Sequence, residues 1–116
     1  MSKMSRQKAE IRVYYGPTQK AIVYDFSADI STGGIYLCTK IPFKIDQRLT
    51  LHFSLPGKAT SVNCKARVAW VNQVNNLSKP EFPQGIGVEF LDLPAEELYS
   101  ISAYLDMNER GNDSSY

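Results

Sequence analysis

The segment Asp29-Ile30-Ser31-Thr32-Gly33-Gly34 puts a carboxylate, a hydroxyl and two glycines within six residues. An ionised carboxylate only accepts hydrogen bonds, whereas a serine hydroxyl both donates and accepts. Glycine lets a backbone approach closely or take a positive φ. Together they suit the holding of a polar ligand. The same order of residues also builds an Asx-type turn with no ligand, so the fragment alone supports both readings. A second group lies upstream. Residues 1–12 carry Lys3, Arg6, Lys8 and Arg12 against Glu10, a net of +3 on a chain whose total is +1. Attraction of an anion must therefore be local, through a basic arm that folds over it. The plain alternative is a charged terminus that is merely solvated. Arg12 falls inside the first expected strand, where it can simply face water.

Other chemistry finds little material. The single histidine, His52, sits on the outward side of an alternating strand, so solvation is its ordinary fate. With no second histidine and no Cys-x-x-Cys pair, a zinc site of ordinary spacing cannot be assembled, and no metal is expected. A serine or cysteine nucleophile wants a histidine partner, and the chain has no G-x-x-x-x-G-K phosphate loop. The reading is a binding module, not an enzyme, with no cofactor. Cys38 and Cys64 lie in apolar-patterned segments and are expected as buried free thiols in a reducing cytosol.

The elements that would position Asp29 and Ser31 show themselves through a period of two. Ile11, Val13 and Tyr15 alternate with polar neighbours, and Gly16-Pro17-Thr18-Gln19 supplies turn chemistry before the run Lys20 to Phe26. Ile35 to Thr39 comes after Gly33-Gly34. Leu49, Leu51, Phe53 and Leu55 alternate with Thr50, His52 and Ser54, and Pro56-Gly57 closes that strand. Val62 to Trp70 then returns as its hairpin partner, with one wet face. Residues 73–84 read as a loop, and Gly85 to Phe90 as a last strand. The period then changes: Asp92 can cap, Pro94 suits a first helical turn, and Glu96-Glu97 suit the positive end of the helix dipole. Leu98, Ile101 and Leu105 recur at helical spacing. About six strands and one terminal helix make an all-β barrel or compact sandwich, with one helix at the C-terminus. One domain is expected: an arm over residues 1–8, a barrel with its helix over 9–107, and a frayed tail over 108–116. At 116 residues, 43% hydrophobic and 22% charged, the chain holds enough apolar material for one core. No run reaches the roughly 18 apolar residues of a membrane span. Residues 1–10 lack the apolar stretch of a secretory signal. A cytoplasmic protein with no membrane association is the expectation.

The ordered set of motifs resembles the PilZ domain family, bacterial receptors for the second messenger cyclic di-GMP. D-x-S-x-x-G at Asp29 to Gly34 leads into Ile35-Tyr36-Leu37. The Leu-Pro-Gly hairpin, Ala69-Trp70-Val71, and Gly85-Ile86-Gly87-Val88-Glu89-Phe90 before Leu93-Pro94 extend the likeness over roughly residues 6–106. The resemblance implies a roughly six-stranded antiparallel barrel that binds cyclic di-GMP. Asp29 would accept hydrogen bonds from a guanine edge, as carboxylates do on nucleobases. Ser31 would serve base or phosphate, and Gly33 and Gly34 would allow close approach.

Ligand-binding members also carry R-x-x-x-R, whose arginines grip phosphate and stack on guanine. This chain has no such motif. One register sets Arg6 at the second arginine and Ser2 at the first, with Lys3 beside it; others give Arg6-x-x-x-Glu10 or Lys8-x-x-x-Arg12. Each has one matching member. The ligand-binding set is thus Arg6, Asp29, Ser31, Gly33 and Gly34, helped by Lys3, Lys8 and Arg12. The partners implied are cyclic di-GMP and a bacterial protein. A nucleic acid polymer is not expected, since Lys65 and Arg67 have no aromatic platform beside them on their strand. The alternative is an adaptor related to motility or pili that no longer binds the nucleotide. It would need an exposed aromatic patch, for which Tyr14, Tyr24, Tyr36 and Tyr99 are candidates.

Overall fold

The computed structural model describes residues 6–17, 23–57, 61–73 and 83–113, with helix side chains described through residue 107. Among the described residues seven strands precede one helix: β1 (Gln7–Lys8), β2 (Arg12–Gly16), β3 (Val23–Ile30), β4 (Gly34–Cys38), β5 (Arg48–Ser54), β6 (Ser61–Asn72), β7 (Gly85–Phe90) and α1 (Ala95–Asp113). Their order in the sheet is β1-β3-β2-β5-β6-β7-β4, and a further β3–β4 pairing closes the ring. Six strands therefore form a closed antiparallel barrel, with β1 as an extra strand on β3. Closure leaves none of the six with an open edge, which an alternating sequence of this length otherwise has to protect.

Alternation decides the interior. Val13 and Tyr15 from β2, Ile35 and Leu37 from β4, and Leu49, Leu51 and Phe53 from β5 are all at most 2% exposed. They share one cluster with Ile101, Tyr104 and Leu105 of α1, so the helix packs onto the barrel core. Leu98, expected on that face, is instead 42% exposed, and Tyr104 takes the inward place. A step of three from Ile101 to Tyr104 stays on the same helix face as surely as the step of four to Leu105. The backbone N–H of Leu98 donates to the Pro94 carbonyl at 2.9 Å, which starts the helix there, and the helix runs past Asn108 to Asp113. No described helix is long and apolar enough to cross a membrane.

Two register shifts break the period of two. One lies between Ser27 and Asp29, where β3 pairs with β4, and the other between Val68 and Trp70, where β6 pairs with β7. Each inserts one residue, Ala28 or Ala69, and so reverses the face of the residues beyond it. Ser27 and Ile30 both reach the buried side, which strict alternation forbids, and Asp29 between them is turned outward. Trp70 is placed outside in the same way. The structure thereby corrects two expected boundaries. β3 does not stop at Phe26 but continues through Asp29 to Ile30, and β6 continues past Trp70 to Asn72. The first strands of the expected hairpin do pair, Arg12 to Tyr15 against Phe26 to Val23, and their connection at residues 18–22 lies outside the described residues.

Candidate functional site

The site is built on the bulge of β3. Ser27 fixes the incoming chain: its hydroxyl accepts the Ile11 N–H at 3.0 Å and donates to the Ala9 carbonyl. The Ala9 N–H donates to the Ala28 carbonyl at 3.0 Å. With residues 9–11 pinned there, β1 pairs Gln7 with Ile30 and Lys8 with Asp29. Arg6 then arrives over the D-x-S-x-x-G segment. Its Nε and Nη2 donate to Asp29 Oδ1 at 2.8 and 2.7 Å, and its Nη1 lies 3.4 Å from Ser31 Oγ. Arg6 is 44% exposed and Asp29 19%, so the pair sits open to solvent on the outside of the barrel. Lys8, directly across from Asp29, is exposed and faces the same way, adding a second positive charge.

The turn and the site use different side chains. Ser31 Oγ accepts the Gly33 N–H at 3.1 Å, and the Ser31 N–H donates to the Gly34 carbonyl at 2.9 Å. Serine thus makes the turn, and the Asp29 carboxylate stands apart from it, bound to Arg6. Ser31 is 1% exposed and its hydroxyl already has partners. Gly33 ties the turn to β7 through its carbonyl, which accepts the Phe90 N–H at 2.9 Å. Gly34 answers to a constraint within the fold itself. Its φ is not positive, and a Cβ there would stand 2.1 Å from the Val88 carbonyl oxygen. The close approach that requires glycine is made by β7.

Arg12 also stands elsewhere. It makes no hydrogen bond or ion pair to Asp29 or Ser31, and its guanidinium lies 5.0 Å from the Tyr24 ring centroid and 5.8 Å from that of Phe26. Lys3 and Ser2 lie outside the described residues. Among the described residues no group of three His, Cys, Asp or Glu side chains could hold a metal. Cys38 and Cys64 are free thiols, Cys64 buried and Cys38 half-buried. Burial pushes the Cys64 thiol up to about 12 and that of Cys38 up as well, which keeps both protonated and poor nucleophiles.

One neighbourhood is not legible in the sequence. Tyr36, a candidate for an exposed patch, is 1% exposed. It pairs with Asp29 on one side and Gly87 on the other, and Gly87 pairs with Trp70. The Tyr36 and Trp70 rings stack at 5.2 Å with 27° between planes, over Gly87, where a Cβ would be 2.1 Å from Trp70 Nε1. Burial raises the Tyr36 phenol above its usual range, and its hydroxyl donates to the Pro83 carbonyl. An aromatic floor therefore adjoins the Arg6–Asp29 pair. The only sequence signal for it is that alanine precedes tryptophan where the alternation slips.

The PilZ domain family model matches residues 5–106, which include Arg6, Asp29, the barrel and most of the helix. The chain belongs to the PilZ domain family. PilZ domains are ligand-binding and adaptor modules, and this one carries the family's barrel with its helix. No curated protein matches the chain. Among solved structures, the chain is similar to the Bacillus subtilis inhibitor of motility MotI/DgrA, with a TM-score of 0.78, 18% identity, and coverage of 96% of this chain and 52% of that one. It is also similar to the K. pneumonia MrkH–c-di-GMP complex, with a TM-score of 0.68, 17% identity, and coverage of 100% and 55%. This PilZ chain thus spans about half the length of each of those proteins, and at such identity the likeness is one of fold.

Proposed function

We propose that this PilZ protein is a bacterial, cytoplasmic receptor for cyclic di-GMP that signals through contact with a protein partner, and that it performs no catalysis. One observation carries the reading: Arg6, which one register sets at the second arginine of the family's clamp, is seated on the Asp29 carboxylate of D-x-S-x-x-G. Arg6 would offer its planar fork to phosphate and guanine, and Asp29 would take the N–H groups of a guanine edge. Ser31, Gly33 and Gly34 would hold the turn beneath them. Lys8, and Lys3 from the arm, would add charge without the fork. The resting Arg6–Asp29 pair has a cost for the ligand, which must replace those contacts by its own.

Isothermal titration with cyclic di-GMP tests this. Binding of micromolar strength or better, lost in Arg6→Ala and in Asp29→Ala, is the expected result. Absence of heat at high ligand concentration, from protein shown to be folded, would overturn it. A second reading, an adaptor that needs no nucleotide, is favoured by a separate observation. Tyr14, Tyr24 and Phe26 form an aromatic cluster on the outside of the barrel, in which Tyr24 is 51% and Phe26 40% exposed.

A further inference from the structure

The outward faces of β2, the first half of β3 and β5 meet away from Asp29. Tyr14 pairs with Tyr24 on one side and His52 on the other, with ring centroids 5.5 and 6.2 Å apart. Tyr24 meets Phe26 edge-on at 6.1 Å, and Arg12 pairs with Phe26. Two large rings pointing to water from one strand are unusual for a solvated sheet face and mark an interaction surface.

The charge on this face says what it suits. Arg12 is held over the Tyr24 and Phe26 rings, with Nη1 3.5 Å from the Tyr14 hydroxyl, and among the described residues it makes no ion pair. Outward positions along β2, β5 and the first half of β6 add Arg48, His52 and Lys65 and no carboxylate. Among the described residues, acids stand at the edges: Glu10 before β2, Glu97, which accepts the Asn63 N–H at 2.9 Å, and Asp46 and Glu89, both held by Arg67 across from Arg48. An arginine pre-set on aromatic rings loses little freedom when it gains a carboxylate, and tyrosine with arginine is the usual make-up of interface hot spots.

We propose that this face docks a protein segment in which carboxylates alternate with apolar side chains, Arg12 taking a carboxylate and the Tyr24 and Phe26 edges taking the apolar groups. The proposal deepens the adaptor reading and rests on it, not on nucleotide binding. A single-stranded nucleic acid fits less well. Bases need free, near-parallel ring faces, whereas Arg12 covers two of these rings, which are tilted by 52° and 89° to their neighbours.

The test is an amide-resolved NMR titration of the intact protein, without cyclic di-GMP, so that its outcome is independent of the nucleotide experiment. The probes are a synthetic peptide alternating glutamate with leucine and tryptophan, its lysine-for-glutamate counterpart, and an oligothymidylate. The glutamate peptide is expected to shift the amides of Arg12, Tyr14, Tyr24 and Phe26 saturably. Arg12→Glu, with an otherwise unchanged spectrum, is expected to weaken it at least fivefold and to gain affinity for the lysine peptide. Equal response to both peptides, response to the oligothymidylate alone, shifts confined to other faces, or no shift at all would overturn the proposal. Concentration-dependent shifts of these amides without any probe would also overturn it, by assigning the face to a second copy of the chain.

Discussion

Asp29 and Gly34 belong to one six-residue motif, yet they answer to different forces. Asp29 can be exchanged at small cost in stability, because its partner Arg6 is 44% exposed and such a pair is worth about 0.2–1 kcal/mol. Arg6→Ala and Asp29→Ala should therefore each lower stability by less than about 1 kcal/mol in urea titration while removing nucleotide binding. Gly34→Ala should instead act mainly on stability. Its new methyl meets the β7 backbone at Val88, and over-packing of this kind costs on the order of 1–3 kcal/mol; chemical denaturation should put it at the upper end. The sequence carries the identity of the motif but not this division. That glycine is needed somewhere in D-x-S-x-x-G is legible, whereas the β7 carbonyl that needs it comes from a strand more than fifty residues downstream.

At the level of elements, a buried polar relay ties three strands at one end of the barrel. Tyr15 of β2 donates its hydroxyl hydrogen to Asp25 Oδ2 of β3 at 2.6 Å and lies 2.7 Å from Thr39 Oγ1, just past β4. Tyr15 is 2% exposed, and its phenol is pushed well above its usual range by burial and by the Asp25 carboxylate. Tyr15→Phe keeps the ring but strips Asp25 and Thr39 of a partner, and should cost about 1–3 kcal/mol, the penalty of an unsatisfied buried group. Urea melts of the variant would show it. Most strands are readable from their alternation, the β5–β6 hairpin above all, where Leu49 to Ser54 pairs with Ala66 to Ser61 in continuous register. The bulges at Ala28 and Ala69 are not readable. They depend on which strand lies opposite, so the sequence alone puts Asp29 in a loop and Tyr36 on an exposed face.

At the scale of the whole molecule, the perturbed acids among the described residues share one direction. Burial raises Cys38, Cys64, Tyr15 and Tyr36, so the folded barrel keeps protons that the unfolded chain gives up. Cys64 ordinarily titrates near 9.0 and is held at about 12 in the fold, so between those values rising pH favours unfolding. The melting temperature should fall as pH rises above about 9, and Cys64→Ala should flatten that fall. If the melting temperature were level from pH 8 to 11, the buried thiol and phenols would not be as shielded as their surroundings imply. Closure of the sheet is itself foreseeable only as a family likeness, since nothing local in β3 or β4 announces that the two strands meet.

The row Asp29, Tyr36, Gly87, Trp70 crosses four strands and ends on the only tryptophan in the chain. This protein therefore carries a built-in lamp at one end of the row and its candidate site at the other, with a single stacked phenol between them. Emission excited at the indole should shift when the site fills, with no dye attached, and Tyr36→Leu should dim that response more than it dims affinity. The same residues that hide an aromatic floor inside a binding module make its occupancy visible from outside.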